Sequence, residues 1–408
     1  MSSSTSLPIA RHRVVHEQIL DLGLQPVSNR FVESSGRHIA PCFPLSLVVD
    51  SHLGLVSLQQ PFPVQELRPR FDWISCFEPE GHLDQLVKTL IALPGIESES
   101  SFAAYSFKDD STLQRLNRLG YKKTWRIDPK LDLAVPDLLA NVETYQSLFT
   151  EPVAHAIRQR HGPADVLIVR HVLEHANDLV GFMDSLRCLV RPGGYIVLEV
   201  PDCERAMVAG DCTIVWEEHT YYFTKFTLLS FLAQSGLDVK VYESIPYPLE
   251  NSLIAIVQVP SAFKARTFID GASVLIEITR ARQFAQKVNL RRSTVRRRLE
   301  QLRKVHGGVC MFGAGHLSVA FISINGVADL INYVIDDNPN KCGMHMPLAH
   351  LPIVRSQALE TSAIGVCLLG LNPKNHAKII AKNSSFKLHG GLFVSIFPGT
   401  DYSSGLLQ

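Results

Sequence analysis

From about residue 86 to residue 260, short apolar runs alternate with stretches whose apolar residues recur at helical spacing, and nothing else in the chain restricts its fold as tightly. Leu83–Leu93 reads as a helix, Ser101–Ser106 as a strand, Thr112–Leu119 as a helix and Lys123–Ile127 as a strand. Ala164–Val169 and Tyr195–Val200 are apolar enough for strands buried on both faces, with the Leu179–Leu189 helix between them. Arg191-Pro192-Gly193-Gly194 reads as a turn, because proline fixes φ and the glycine pair permits positive φ. Thr227–Gly236 reads as a helix, and Asp238–Pro246 with Ser252–Val257 as a closing pair of strands. Strand and helix in regular succession predict an α/β fold, a doubly wound parallel sheet with helices on both faces.

The flanks have a different texture. Residues 1–85 are rich in Pro and Ser, with short strands expected at Leu45–Val49 and Gly54–Leu58. Residues 261–408 open with a helical stretch over Phe263–Lys304, dense in Arg around Arg291–Arg298, and continue as a second, smaller α/β unit. Without interleaved aromatics the arginine run reads as a solvated connecting helix and not a nucleic-acid surface. A chain of 408 residues accommodates three such units, 1–85, 86–260 and 261–408.

Composition narrows the function classes. Forty basic residues against thirty-nine acidic ones leave a formal net charge of only +1, no argument for a nucleic-acid or membrane partner. No apolar run approaches the roughly 20 residues that span a bilayer, and Met1–Arg13 lacks the apolar core of a signal peptide. The eight cysteines are scattered without a CxxC pair, as expected of reduced thiols in the cytoplasm.

Two turns have the place of a nucleotide-binding loop. Gly313-Ala314-Gly315-His316-Leu317-Ser318 joins a strand to a helix and approximates GxGxxG, with Asp336-Asp337 ending the next strand where a ribose-binding carboxylate belongs. The corresponding turn of the middle region, Tyr105–Leu113, contains no glycine: Phe107 and Lys108 stand where close backbone approach is needed. Asp128 nevertheless ends the second strand, in position for ribose hydroxyls.

These residues resemble a family. His171-Val172-Leu173-Glu174-His175, Arg191–Gly194 and Glu199-Val200-Pro201 are similar to the late-sheet signature of class I S-adenosylmethionine (SAM)-dependent methyltransferases. Trp216–Phe223 resembles the HEHxxYF-type motif of the sugar C-methyltransferases, which act on nucleotide-linked deoxy-ketosugars. Asp21–Asn29 resembles that family's opening LGxQPxSN segment, and Glu78–His82 its lead into the methyltransferase domain. Phe312–Gly315 with Asp336–Lys341 resembles its C-terminal Rossmann-like domain. The departures are specific. The family's second zinc CxxC pair falls on Asp50 and Leu53, so zinc is not expected, and its SAM loop, GSNDGTL, aligns with Phe107–Leu113, both glycines replaced.

The resemblance implies SAM as cofactor, held by Phe107, Asp110, Asp128 and His171, and a nucleotide-sugar substrate contacted by Asn29, Trp73, Gly313, Gly315 and Asp336. C-methylation beside a ketone needs a base to remove a proton from carbon and a donor to steady the enolate oxygen. His219 is expected as base or proton shuttle, Glu218 as the alternative base, and Tyr222 as a phenol facing the ketone. His171 and His175 have i, i+4 spacing, but they follow a strand directly, and no metal is expected there. The glycine-free loop leaves two alternatives: a SAM-independent enzyme that abstracts a proton from a ketosugar nucleotide through Glu218/His219, or a non-catalytic sugar-nucleotide-binding protein.

Overall fold

The computed structural model describes residues 15–33, 40–74, 78–261, 269–361 and 363–402. The N-terminal region supplies strands β1 (His16–Pro26), β2 (Val32–Glu33), β3 (Cys42–Asp50) and β4 (Val56–Leu58). The middle region runs α1 (Leu83–Ile91), β5 (Phe102–Ala104), α2 (Asp110–Arg118), β6 (Thr124–Arg126), α3 (Glu151–His161), β7 (Ala164–Arg170), α4 (Leu179–Leu189) and β8 (Val190–Asp202). It continues through β9 (Tyr221–Tyr222), α5 (Lys225–Gln234), β10 (Asp238–Ile245) and β11 (Asn251–Gln258). The C-terminal region holds α6 (Gly271–His306), β12 (Gly308–Phe312), α7 (His316–Asn325), β13 (Tyr333–Ile335), β14 (Met344–His345), β15 (Ile353–Val354), β16 (Ile364–Leu369) and β17 (Leu392–Ser395).

The central sheet has the order β10-β11-β8-β7-β5-β6. Strands β6, β5, β7 and β8 are parallel, and β11 is inserted antiparallel between β8 and β10. β7 is buried along nearly its whole length, which is why its sequence is a continuous apolar run. Helix α4 buries Leu179, Phe182, Met183, Leu186 and Leu189 against the sheet, about 1.5–3 kcal/mol for each large side chain. Asp178 caps it, accepting a hydrogen bond from the Gly181 N–H at 3.0 Å. Because β5 connects outward to β6 and β7 lies on its other side, the order reverses between β5 and β7, and a ligand crevice belongs at the carboxyl ends of these two strands.

The closing hairpin and most central elements stand where the periodicity puts them. The Pro-Gly-Gly segment does not: it lies inside β8, where Gly193 keeps φ at +79° and its N–H donates to the Val259 carbonyl. The arginine-rich helix also differs. Its expected first residues, 263–268, lie outside the described ones, and from Gly271 onward it carries a buried face rather than being solvated all round. Ala281, Phe284, Ala285 and Val288 pack into the core beneath the N-terminal sheet, while Val295 and Leu299 enter the core of the C-terminal unit. Arg291 donates to the Gly210 carbonyl, and Arg296 pairs with Asp329. The C-terminal sheet is parallel, in the order β15-β13-β12-β16-β17. Among the described residues no helix is long and apolar enough to cross a membrane.

Candidate active site

The segment Glu217–Thr220 is fixed from two sides. β9 adds to the N-terminal sheet by pairing with β4, Val56 opposite Tyr222. The Leu58 N–H donates to the Thr220 carbonyl at 2.8 Å, and the Thr220 N–H donates to the Glu174 carbonyl at 2.8 Å. The acidic segment is thereby tied to both the N-terminal sheet and the loop after β7. The C-terminal unit closes the third side: His316, at the start of α7, stacks on Trp216 at 4.1 Å between ring centroids, and Trp216 lies 4.9 Å from His219.

Within this junction the groups are buried and unequal. Glu217 accepts from the Ser28 N–H at 2.6 Å and the Ser28 hydroxyl at 2.8 Å. Glu218 accepts from the Asn29 amide at 3.3 Å. Burial, with Glu143 and Glu217 nearby, pushes the Glu218 carboxyl well above the usual carboxylate range. Burial, with His175 beside it, holds His219 well below the ordinary histidine value, so its ring is neutral. His175 donates from Nδ1 to the Glu218 carbonyl at 2.7 Å, and its ring stands 4.9 Å from that of His219. Asn29, Glu218 and His219, expected in the site, do converge. Glu143 and His316 join them: Glu143 carries no motif signal, and the Gly313–Ser318 turn that holds His316 does not point to this cluster, because each arrives from a segment distant in sequence. The Glu174-His175 pair was legible only as part of a loop signature.

A second set of charges occupies the switch point. Arg170, fully buried, donates from Nε to Glu199 at 2.6 Å, from Nη1 to the Lys108 carbonyl at 2.8 Å and from Nη2 to the Pro79 carbonyl at 3.0 Å. Lys108 reaches across the crevice to the His171 carbonyl at 2.9 Å and to Glu78 at 3.0 Å. His171, at φ +51°, has its ring between Glu199 and Glu78. Burial disfavours the imidazolium, but those two carboxylates outweigh it and keep His171 charged. Burial likewise opposes ionisation of Glu78, and His171 and Lys108 overcome it, holding its carboxyl at about 2. Glu78, Lys108 and Arg170 form a network that the sequence reading did not assemble. Its signal was Arg170 ending an otherwise apolar strand, since a buried arginine requires a carboxylate.

The other expected positions are accounted for as follows. Phe107 is 49% exposed at the crevice. Asp110 pairs with Arg126 at 2.6 Å, and Asp128 caps the next turn through Oδ1, bonding the N–H groups of Lys130 and Leu131. Tyr222 is not brought to the cluster: its hydroxyl is bonded to the backbone of Trp216, donating to the carbonyl at 3.1 Å. Trp73 packs between Phe31 and Phe71, against the core of the C-terminal unit. Gly313 takes φ +104° in the second turn. Asp336 folds into that turn, accepting from the Ala314 N–H at 3.1 Å and from Lys341 at 3.1 Å, so the carboxylate expected to face a ligand is engaged internally, and Gly315 stands in open space. At the zinc-pair positions, Asp50 accepts from the N–H groups of His52 and Leu53 and closes a tight turn.

The donor set at the switch point fits SAM in its chemistry. His171 and Lys108 are cations of the kind suited to an amino-acid carboxylate, each now paired with Glu78, and Phe107 offers an apolar face. Asp110 and Asp128, which follow β5 and β6, are of the type that serves a ribose but are engaged by Arg126 and by turn amides, respectively. The glycine loop's backbone cradle is replaced here by side-chain charge.

Strand order, the antiparallel insertion of β11 and the two loops at the reversal point define a class I methyltransferase fold, with an acid–base cluster seated beside the cofactor crevice. Residues 109–240 match the family model of a methyltransferase domain, and residues 270–398 that of a C-methyltransferase C-terminal domain. The chain is a methyltransferase-type enzyme whose C-terminal unit matches the C-methyltransferase model. It is similar to the C-methyltransferase NovU of Streptomyces niveus, 22% identical over 367 residues that cover 87% of this chain and 86% of that protein. Among solved structures it aligns with the 1,6-didemethyltoxoflavin-N1-methyltransferase of Burkholderia thailandensis, 12% identical, covering 44% of this chain and 79% of that one, at a TM-score of 0.30. A SAM-dependent methyltransferase from Mesorhizobium loti aligns at 11% identity over 44% of this chain and 98% of that one, at a TM-score of 0.31.

Proposed function

We propose that this enzyme methylates a carbon next to the ketone of a nucleotide-linked deoxy-ketosugar, with Glu218 removing the proton from that carbon. The observation that carries the proposal is the seating of Glu218, 7% exposed and hydrogen-bonded to Asn29, at the junction of all three parts of the chain. From there a chain of ionisable side chains leads to the crevice: His175 Nε2 lies 4.0 Å from Glu174, and Glu174 lies 3.6 Å from His171. Sequence similarity along most of the chain to a C-methyltransferase supports the same reading.

Glu218 has the basicity for the first step, because a carboxylate in a dry site holds a proton more tightly than one in water. His219, neutral and next to Glu218, is the group suited to steady the enolate oxygen, and this role suits it better than that of base. Asn29 keeps the Glu218 carboxylate aimed. His171 and Lys108 would hold the SAM carboxylate, with Asp110 and Asp128 on its ribose. SAM, when bound, supplies the electrophilic methyl group that the nucleophilic carbon takes. The test is a methyl-transfer assay with a nucleoside-diphosphate 4-keto deoxyhexose and SAM: Glu218→Gln is expected to lower kcat by about 10²–10⁴, and an unchanged kcat would remove Glu218 from the reaction.

One observation favours a second reading. Lys108 bridges the two loops of the crevice, next to Phe107, which replaces a glycine of the loop the chain resembles, so proton exchange at the sugar carbon without methyl transfer is the alternative. Calorimetric titration with SAM separates the two: no binding, together with deuterium uptake into the ketosugar, selects the second.

A further inference from the structure

We infer that Glu174, His175 and His219 form a binding site for a divalent first-row cation, best matched by Zn²⁺, beside Glu218. One nitrogen or oxygen from each lies within 4.8 Å of the others. The histidine pair suggested by i, i+4 spacing is not the one the fold makes: His171 turns to Glu199, and His175 faces His219.

Three features point to a cation. The His175 tautomer is fixed, because the Glu218 carbonyl can only accept and Nδ1 must therefore carry the proton that reaches it at 2.7 Å. Nε2 then faces carboxylates, Glu143 at 3.4 Å and Glu174 at 4.0 Å. Both distances exceed the roughly 2.7–3.2 Å of an N–H···O bond, so a proton on Nε2 would be poorly placed. The 3.4 Å to Glu143 is the edge of a tetrahedron whose centre lies about 2.1 Å from each corner, the usual Zn–N and Zn–O separation, and the 4.0 Å to Glu174 needs only a small closing of the two side chains around an ion.

The second feature is Glu174. Its residue is 1% exposed, yet neither carboxylate oxygen has a hydrogen-bond partner. A buried, unsatisfied carboxylate is costly unless a counter-charge reaches it. The His171 imidazolium stands 3.6 Å away and His175 Nε2 4.0 Å away, neither hydrogen-bonded to it, so its oxygens keep lone pairs that a cation between the His175 and His219 rings would take.

The third is the donor chemistry. Two imidazoles and a carboxylate, with Glu143 in reserve, are the set that binds Zn²⁺ while leaving a position open. Backbone hydrogen bonds position two of the ligands: the Thr220 N–H donates to the Glu174 carbonyl, and the His219 N–H to the Trp216 carbonyl at 3.0 Å. A cation held there would supply the positive charge that an enolate oxygen needs. That use rests on the proposed methylation; binding itself does not.

The test uses the full chain, stripped with chelator and titrated with Zn²⁺ or Co²⁺ alone, without substrate. We expect one equivalent bound and a visible Co²⁺ spectrum of low-coordinate N/O ligation. Glu174→Gln and His219→Ala should each weaken binding at least tenfold, with circular dichroism confirming that both variants fold. A second cluster, exposed Glu151 and His155 with Cys188, provides the control: His155→Ala/Cys188→Ser should leave binding unchanged. The inference is overturned if the wild-type chain takes up no metal, if both ligand variants bind as it does, or if the control variant is the one that loses the ion. Because no turnover is measured, failure here leaves the proposed methylation standing.

Discussion

Replacing Arg170 with Met tests the account of the switch point at its most loaded residue. The side chain is fully buried and makes three bonds, to Glu199, the Lys108 carbonyl and the Pro79 carbonyl. Methionine fits the volume but leaves a buried carboxylate short of one cation and two carbonyls without donors. Breaking a buried ion pair costs about 3–5 kcal/mol, and each orphaned carbonyl adds about 1 kcal/mol. His82 and His171 still contact Glu199 at 3.1 and 3.2 Å, so part of the charge remains compensated and the lower end applies. We expect a loss of about 5 kcal/mol, which at about 2–4 °C per kcal/mol lowers the melting temperature by roughly 10–20 °C. Thermal unfolding followed by far-UV circular dichroism measures it. Arg170→Lys should recover less than half, since an ammonium cannot replace a three-way guanidinium fork. A fall of less than about 3 °C for Arg170→Met would refute the reasoning that this arginine holds the two loops together.

Further outcomes follow from other parts of the chain. Burial lowers the His316 pKa to about 4, so the folded chain keeps the ring neutral while the unfolded chain protonates it near 6.5. Stability should therefore fall as pH drops from 6.5 to 4, by at most about 3 kcal/mol from this residue, and urea titrations of His316→Phe should lack that part of the acid limb. Gly54 sits at φ +69° with an added Cβ only 2.6 Å from the Glu277 Cβ, so Gly54→Ala should cost at least about 2 kcal/mol by denaturant titration. Lys108→Ala should weaken SAM at least tenfold by calorimetry if the ammonium holds the cofactor carboxylate. Tighter binding in that variant would instead identify Lys108 as an obstruction and favour proton exchange without methyl transfer.

The central sheet was legible because its strands are buried on both faces, so the apolar runs and the intervening helical periods carry the topology directly. Arg191–Gly194 misled because proline and paired glycine are turn signals, whereas here Gly193 bonds across to Val259 and prolongs β8. Strand β1 escaped notice because much of it is exposed and it alternates weakly. Of the site, Glu218, His219 and Asn29 were readable, since they lie in motif-bearing segments. Glu143 was not, because no local pattern encodes its contact with a distant segment, and although Glu78, Arg170 and His316 lie in or beside segments with a signal, their meeting at the site depends on contacts of the same kind. Tyr222 shows the converse: a suggestive spacing whose hydroxyl is engaged by Trp216 in its own turn.

The claim that Glu218 removes a proton from carbon can be measured without methyl transfer. A nucleoside-diphosphate 4-keto deoxyhexose is incubated in deuterium oxide with the full-length enzyme, and the hydrogen next to the ketone is followed by proton NMR. Its signal should disappear with wild-type protein and persist with Glu218→Gln, which should exchange about 10²–10⁴ times more slowly. Exchange at the wild-type rate in Glu218→Gln, or none above background with the wild-type enzyme, would contradict the account.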